Sequence, residues 1–360
     1  MSTSPSTEIR IGRHSVGLDH PTYFIADIAA NHNGDLELAK ELIHRSAEAG
    51  AGAVKFQNFS AATIVSDFGF KAMDGQQSHQ SSWQQSVFEV YDGASLPMAW
   101  TADLKQAADQ AGVDYFTAPY DLDLLDELSR YVCAWKLGSG DITWHENIER
   151  MARDGKPLLM ATGAAEMAEV RLALEVARRH TDQIVLMQCN TNYTASLENF
   201  HHIALNVLRT YAREFPDLVL GLSDHTPGHA TVLGAVALGA RAVEKHFTHD
   251  IAAEGPDHKF SMDPITWRDM VDRTRELEAA LGPTEKRVMD NEQETVVVQR
   301  RAVRAAHTIA AGQTIAAADL TVLRPCPADA LPPYRQGELL GRRAGRHITE
   351  GDCVRLEDTE

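Results

Sequence analysis

Two lysines stand where lysine is costly. Lys55 lies inside the run AVKFQNF and Lys136 inside CAWKLGS, both otherwise largely apolar. A buried ammonium needs a counter-charge. Three arrangements would supply one: a structural ion pair with Asp27, Asp141 or Glu244; an anionic substrate carrying phosphate or carboxylate; or conversion of the lysine to a Schiff base. Ser139, Thr162 and Ser223 close neighbouring runs with hydroxyls that could share a phosphate, which favours the anion-binding arrangement. His225 and His246 end the runs VLGLSDH and AVEKHFT. Neutral imidazoles at adjacent strand ends can share one divalent metal or act as an acid–base pair. His32 and His249 have no such pairing and could simply be exposed.

These side chains need a scaffold that gathers strand ends. Short runs rich in β-branched or aromatic residues alternate with helical patterns over the first 280 or so residues: YFIADIA, AVKFQNF, DYFTAPY, CAWKLGS, PLLMATG, IVLMQCN, VLGLSDH and AVEKHFT. Gly50, Gly112, Gly155 and Gly239 fall between helical patterns and strands, as helix C-caps do. Alternating strands and helices predict a parallel sheet, and eight repeats predict a closed (β/α)8 barrel. A doubly wound open sheet has the same local rhythm, but ANHNGDLE after the first strand is not the GxGxxG of that fold. Polar residues collect at the run ends: Asp27 and Asn31; Lys55 and Gln57; Thr117 and Tyr120; Lys136, Ser139 and Asp141; Thr162; Asn190 and Tyr193; Ser223, Asp224 and His225; Glu244, His246 and Thr248. In a barrel, that end carries the active site.

The segment AATIVSDFGFKAMDGQQSHQSSWQQS, residues 61–86, is too long and polar for an ordinary connection and predicts a lid or a substrate-binding excursion, with the helix resuming near Ala94. Beyond Gly282-Pro283 the character changes. The predicted division is a barrel over 1–283, a linker over 284–298 and a small β-rich domain over 299–360. A formal charge of -17 argues against nucleic acid or an anionic membrane as partner. Cys133, Cys189, Cys326 and Cys353 form no close CxxC pair, so neither a zinc site nor a disulfide framework is predicted. With no apolar signal core and no membrane-length apolar stretch, the sequence predicts a cytoplasmic protein.

The motifs IADIAANHNG, AVKFQ, WKLGSGDI, GLSDHT, VEKHFT and GPDHKFSMDP, in that order, resemble the sialic acid (N-acetylneuraminate) synthases and their nonulosonic-acid relatives, and the tail resembles their SAF, or antifreeze-like, domain. The resemblance implies a TIM barrel with an SAF domain, assembled as a domain-swapped homodimer. It implies condensation of phosphoenolpyruvate with the open-chain aldehyde of an N-acetylhexosamine such as N-acetylmannosamine, with phosphate released by C–O cleavage. By the same likeness Lys55 and Lys136 bind the donor, with Ser139 and Ser223 near its phosphate. Thr117, Asp141, Thr162 and Asn190 complete the substrate contacts, and Asp27 and His246 join the catalytic group. His225 and His246 hold a divalent metal, manganese in the first place, with magnesium or cobalt as alternatives. Gln57, Tyr193 and Asp257 face the sugar, and Arg324 of LRPCP reaches its N-acetyl group from the partner.

The sequence departs from the family pattern at several of these points. Asp27 and Asp141 stand for glutamates, Ala118 and Ala161 replace hydroxyl residues, Thr191 replaces an asparagine, and RPCPADALPP replaces RPGxGI. Other readings are a different aldose acceptor, a sugar-binding relative that has lost catalysis, or a Schiff-base aldolase.

Overall fold

Each of the eight apolar runs forms a strand that is buried along nearly its whole length, as a parallel sheet covered by helices requires. The computed structural model describes residues 7–73, 80 and 83–360. Strands β1 (Glu8–Ile11) and β2 (His14–Gly17) make an antiparallel hairpin. Then follow β3 (Tyr23–Asp27), β4 (Ala53–Asn58), β5 (Asp114–Pro119), β6 (Trp135–Leu137), β7 (Leu158–Ala161), β8 (Ile184–Cys189), β9 (Val219–Asp224) and β10 (Ala240–His246). These eight close into a barrel, with β10 beside β3. Among the described residues no helix is long and apolar enough to cross a membrane.

The first connecting helix, Leu36–Glu48, shows how the sequence builds the outer layer. The Asp35 side chain caps it, accepting from the Glu37 and Leu38 amides. Ala39, Leu42, Ile43 and Ser46 recur at helical spacing and are buried. The connection after β4 does not contain one long helix. It holds short helices at Ala61–Ile64, Asp67–Lys71 and Val87–Ala94 before the regular helix Thr101–Ala111. Residues 74–79 and 81–82 of this excursion lie outside the described residues.

The hairpin, which the sequence reading did not anticipate, is anchored at the N-terminal end of the barrel. Asp114, the first residue of β5, accepts from the Arg13 amide at 3.2 Å and from the Tyr23 hydroxyl at 3.0 Å, and meets His14 Nδ1 at 2.8 Å. Ile9, Ile11 and Val16 join the barrel core.

The chain divides between Gly282 and Pro283 into two compact units. The second begins with a helix, Gln293–Gln299, inside the stretch read as linker. It pairs β11 (Ala302–Ala305) with β12 (Leu320–Leu323) and has its own core of Val303, Ile309, Ile315, Leu339, Ile348 and Val354.

Asp114→Ala removes one carboxylate that several polar groups share. It is expected to cost about 1–3 kcal/mol of the first unit's stability, read from denaturant unfolding. An effect below about 0.5 kcal/mol, the range of an ordinary surface change, would show that the anchor contributes nothing.

Candidate active site

Register determines which strand-end side chains meet. Parallel partners lie on the same face of the sheet, and successive residues alternate faces. Asp27 pairs with Lys55 and with His246, Glu244 with Ser223, and Cys189 with Ser223. These residues, with Lys136, line a cavity of about 310 Å³ at the C-terminal end of the barrel.

Its floor is a buried charge network. Lys55 Nζ lies 2.7 Å from Asp27 Oδ2 and 3.1 Å from Glu244 Oε1. Lys136 Nζ donates to the Leu137 carbonyl at 2.8 Å and stands 3.6 Å from the same Glu244 oxygen. Gln57 Nε2 donates to Asp27, and the Ser223 hydroxyl to Glu244. Burial opposes the charge on Lys55, but Asp27 and Glu244 together hold its ammonium above the usual lysine range. Burial also works against ionised Glu244, yet the two lysines win and hold it at about 2. For Lys136 burial is the stronger influence and draws its ammonium down despite Glu244. Burial, with Glu244 beside it, lifts Asp27 against the pull of Lys55. The counter-charges of Lys55 are thus Asp27 and Glu244, and that of Lys136 is Glu244. Glu244 Oε2 has no partner.

Beside this floor, Ser139 Oγ accepts from the Gly163 amide at 3.0 Å. A Cβ at Gly163 would fall 2.0 Å from Thr191 Oγ1 and 2.9 Å from Ser139 Oγ, so only glycine lets these hydroxyls converge. The Thr191 hydroxyl is buried without a partner. Asp141 also lines the cavity and is pushed up to about 6 by burial, against the pull of Lys136.

Three side chains expected here point elsewhere, and alternation is the reason. Thr117 pairs with Phe56, which lies between inward Lys55 and Gln57, so it faces outward. Its hydroxyl donates to the Phe56 carbonyl and to Asn58 Oδ1. Lys136 pairs with Leu159, which turns Ala161 inward and Thr162 away. The Thr162 hydroxyl donates to Met187 O and accepts from Tyr211. Asn190 follows inward Cys189; its side chain donates to His202 O, and only its carbonyl serves the site. Arg324 is exposed on the second unit.

His225 and His246 lie with ring centroids 5.3 Å apart, against Tyr193 and Phe260. Burial and nearby positive charge push both to about 3, so both are neutral imidazoles. His225 Nδ1 faces the Asn190 carbonyl at 3.1 Å and therefore carries the proton, which frees Nε2 as a lone-pair donor. His246 Nε2 lies 3.4 Å from Asp27, and its buried Nδ1 has no partner. Two neutral imidazoles, one oriented by a backbone carbonyl, suit a divalent metal. Among the described residues no third His, Cys, Asp or Glu completes a cluster. The pair would therefore leave the other coordination positions to substrate or water.

The Asn31-His32-Asn33-Gly34 knot ties the first loop to the last. Asn31 Nδ2 donates to Phe247 O and Ser261 Oγ, and Asn33 Nδ2 to Glu254 O. The Ala30 amide donates to Asp257, which lines the cavity and is raised to about 6 by burial. His32 is buried against Trp100 rather than exposed. Phe59, Ile64, Trp83, Val90 and Tyr91 from the excursion, with Tyr120, form an aromatic and aliphatic wall. Sequence reading named residues 61–86 as a lid or substrate-binding excursion, Tyr120 as a strand-end residue and Thr191 as the replacement of an asparagine, but gave no role to Phe59, Val90, Tyr91 or Phe260. Trp83 and Tyr91 lacked any periodic signal, but inward parity at Cys189 could have pointed to Thr191.

The fold and site define a barrel protein with a polar mouth, followed by a small β-rich second unit, and direct comparison makes the family assignment. Residues 42–286 match the NeuB family and residues 300–360 the SAF domain. The chain belongs to the NeuB family. It is 33% identical to an N,N'-diacetyllegionaminic acid synthase from Legionella pneumophila subsp. pneumophila, over 94% of each chain. It is also 33% identical to a protein of the same name from Campylobacter jejuni, over 93% of this chain and 99% of that one. Among solved structures it is similar to the spore coat polysaccharide biosynthesis protein spsE of Bacillus subtilis, with 30% identity, a TM-score of 0.63 and coverage of 98% and 99%.

The floor predicts an asymmetry between its members. Lys136→Met should weaken binding of inorganic phosphate roughly tenfold or more. It should leave the thermal midpoint within about 5 °C, because Lys55 and Ser223 still hold Glu244. Glu244→Ala, which leaves two ammonium groups with one carboxylate, should cost the fold about 3–5 kcal/mol. Calorimetric titration and unfolding curves measure both, and equal effects on stability would refute the asymmetry.

Proposed function

We propose that this chain condenses phosphoenolpyruvate with the open-chain aldehyde of an unphosphorylated N-acyl hexosamine, forming a nonulosonic acid and releasing phosphate by C–O cleavage. One observation carries the reading: two buried lysines, converging hydroxyls and two neutral imidazoles line one cavity. Lys55 and Lys136 suit the carboxylate and phosphate of the donor. Ser139, Thr191 and Ser223 would hydrogen-bond the phosphate oxygens, with Thr191 contributing a hydroxyl in place of the family's asparagine. The named activities of the relatives point to the same class of product.

His225 and His246 would hold a divalent metal, which when bound supplies Lewis-acid polarisation of the aldehyde oxygen. The remaining tasks fall to the chain. Gln57, Tyr193 and Asp257 orient the sugar so that its aldehyde carbon faces C3 of the enolpyruvate. A C–C bond forms there as the aldehyde oxygen gains a proton. Water adds at C2 and loses one proton; the C2–O bond to phosphate then breaks as the new hydroxyl becomes the C2 carbonyl, and its proton leaves with the phosphate. Among the described lining residues the only lysines or arginines are Lys55 and Lys136, which supports an acceptor without a phosphate of its own. The apolar wall suits its N-acyl group.

Arg324 is assigned to the acceptor's acyl group in a domain-swapped homodimer on the strength of its motif. Arg324→Ala should raise the acceptor KM and leave the donor KM unchanged, and a change in donor KM alone would remove that role.

Phosphate release should require phosphoenolpyruvate and an N-acyl hexosamine together. It should stop on chelation, and it should fall at least tenfold when the acceptor carries a 6-phosphate, since the described lining residues include no lysine or arginine beyond Lys55 and Lys136 to meet that charge. A panel of acceptors scored by phosphate release and product mass tests this. Turnover of arabinose 5-phosphate in place of N-acyl sugars, or sugar binding without turnover, would overturn it.

A further inference from the structure

Behind the two histidines lies an ion pair that the proposed chemistry does not use. Asp224 and Lys245 are 3% and 1% exposed, and neither lines the cavity. They are direct partners across β9 and β10, on the face opposite Ser223 and Glu244. Lys245 Nζ donates to Asp224 Oδ2 at 2.5 Å and to the Thr226 carbonyl at 2.5 Å. Asp224 accepts from the Thr226 amide at 3.2 Å, from the Thr226 hydroxyl at 2.8 Å and from the Thr231 hydroxyl at 2.7 Å. Every one of these bonds lands on Asp224 or on Thr226, the two neighbours of His225, or on the helix Ala230–Ala237 that follows.

An ion pair buried this deeply adds little stability over two well-packed apolar side chains. What it adds is direction. A carboxylate and an ammonium group fix a main-chain carbonyl and a main-chain amide, which apolar groups cannot do. The local phase serves the same end. The register between β9 and β10 shifts between Ala240 and Ala242, placing an extra residue, Arg241, in β10. A one-residue slip exchanges the two faces of a strand. Beyond the shift Glu244 and His246 face the cavity, and Lys245 falls opposite Asp224.

We propose that Asp224 and Lys245 are positioning residues, clamping the main chain on both sides of His225 and next to His246 so that the two imidazoles keep their spacing and orientation. The proposal rests on reading His225 and His246 as a functional pair. Beyond the clamp, the bond from His225 Nδ1 to the Asn190 carbonyl orients the ring, and that bond forms only while the main chain stays in place.

The full-length metal-free protein with nitrogen-15-labelled histidine tests this, comparing wild type with the Asp224→Asn, Lys245→Met double variant. The wild type should show His225 as a single Nδ1–H tautomer, and the double variant averaged tautomers. Titration with Mn2+ should show affinity falling roughly tenfold or more, as for other groups that orient metal-bound histidines. A folded double variant with a single tautomer and wild-type Mn2+ affinity overturns the clamp, as does a wild type with averaged tautomers. Should the double variant not fold, Lys245→Met alone takes its place: it removes the ammonium from Asp224 and from the Thr226 carbonyl and leaves Asp224 its amide and hydroxyl donors, and retention of one tautomer there overturns the proposal. A wild type that neither binds Mn2+ nor turns over counts against the proposed function, whereas the tautomer comparison still decides the clamp.

Discussion

Two carboxylates and two ammonium groups share one buried floor, and the rest of the mouth is arranged around that balance. Asp27, Lys55, Glu244 and Lys136 come from four different strands, so the floor exists only when the barrel is closed and in register. Each charge would be costly alone in so little solvent. Assembled, they sum to zero and hold one another in place, with Gln57 and Ser223 taking up further acceptor positions. The balance also explains the difference between the lysines. Lys55 touches both carboxylates and is held charged, whereas Lys136 reaches only one of them, at 3.6 Å. An anion that arrives over Lys136 would supply the close counter-charge that its buried ammonium lacks.

The barrel was legible in the sequence because eight short runs alternating with helical patterns leave few other topologies. The charged floor was legible because a lysine in an apolar strand has few explanations. What escaped was the face of each strand. Thr117, Thr162 and Asn190 end their strands as surely as Ser139 and Ser223 do, but strand ends say nothing of parity. Parity is set by cross-strand register, a non-local property. It makes Ala161 and not Thr162 the inward residue, so the alanine departure falls at the cavity side. The N-terminal hairpin was missed because its strands are only four residues long, too short to show alternation.

The loops above the floor follow a different logic. Asn31 and Asn33 make their bonds to main-chain groups of the last loop, so the polar knot after β3 is a latch that carries Asp257 into place. Ala29 and Asn33 adopt positive φ values of 44° and 48° there, a conformation that costs a non-glycine residue energy and that these ties hold in place. Across the cavity, the excursion after β4 brings aromatic rings where a shorter connection would leave solvent. One side of the mouth thus meets polar groups and the other apolar ones, which suits a sugar bearing an acyl substituent.

The neutrality of the floor constrains the proposed reaction. A phosphate and a carboxylate entering over Lys55 and Lys136 bring negative charge to a site already balanced, with Asp141 and Asp257 also close by. Two influences in the chain itself reduce that excess. Burial raises the carboxyls of Asp141 and Asp257 to about 6, which brings their neutral form toward the working range. The two imidazoles, held at about 3, add no fixed charge of their own and keep lone pairs for an external cation. A doubly charged cation at that point would restore the balance that the donor disturbs.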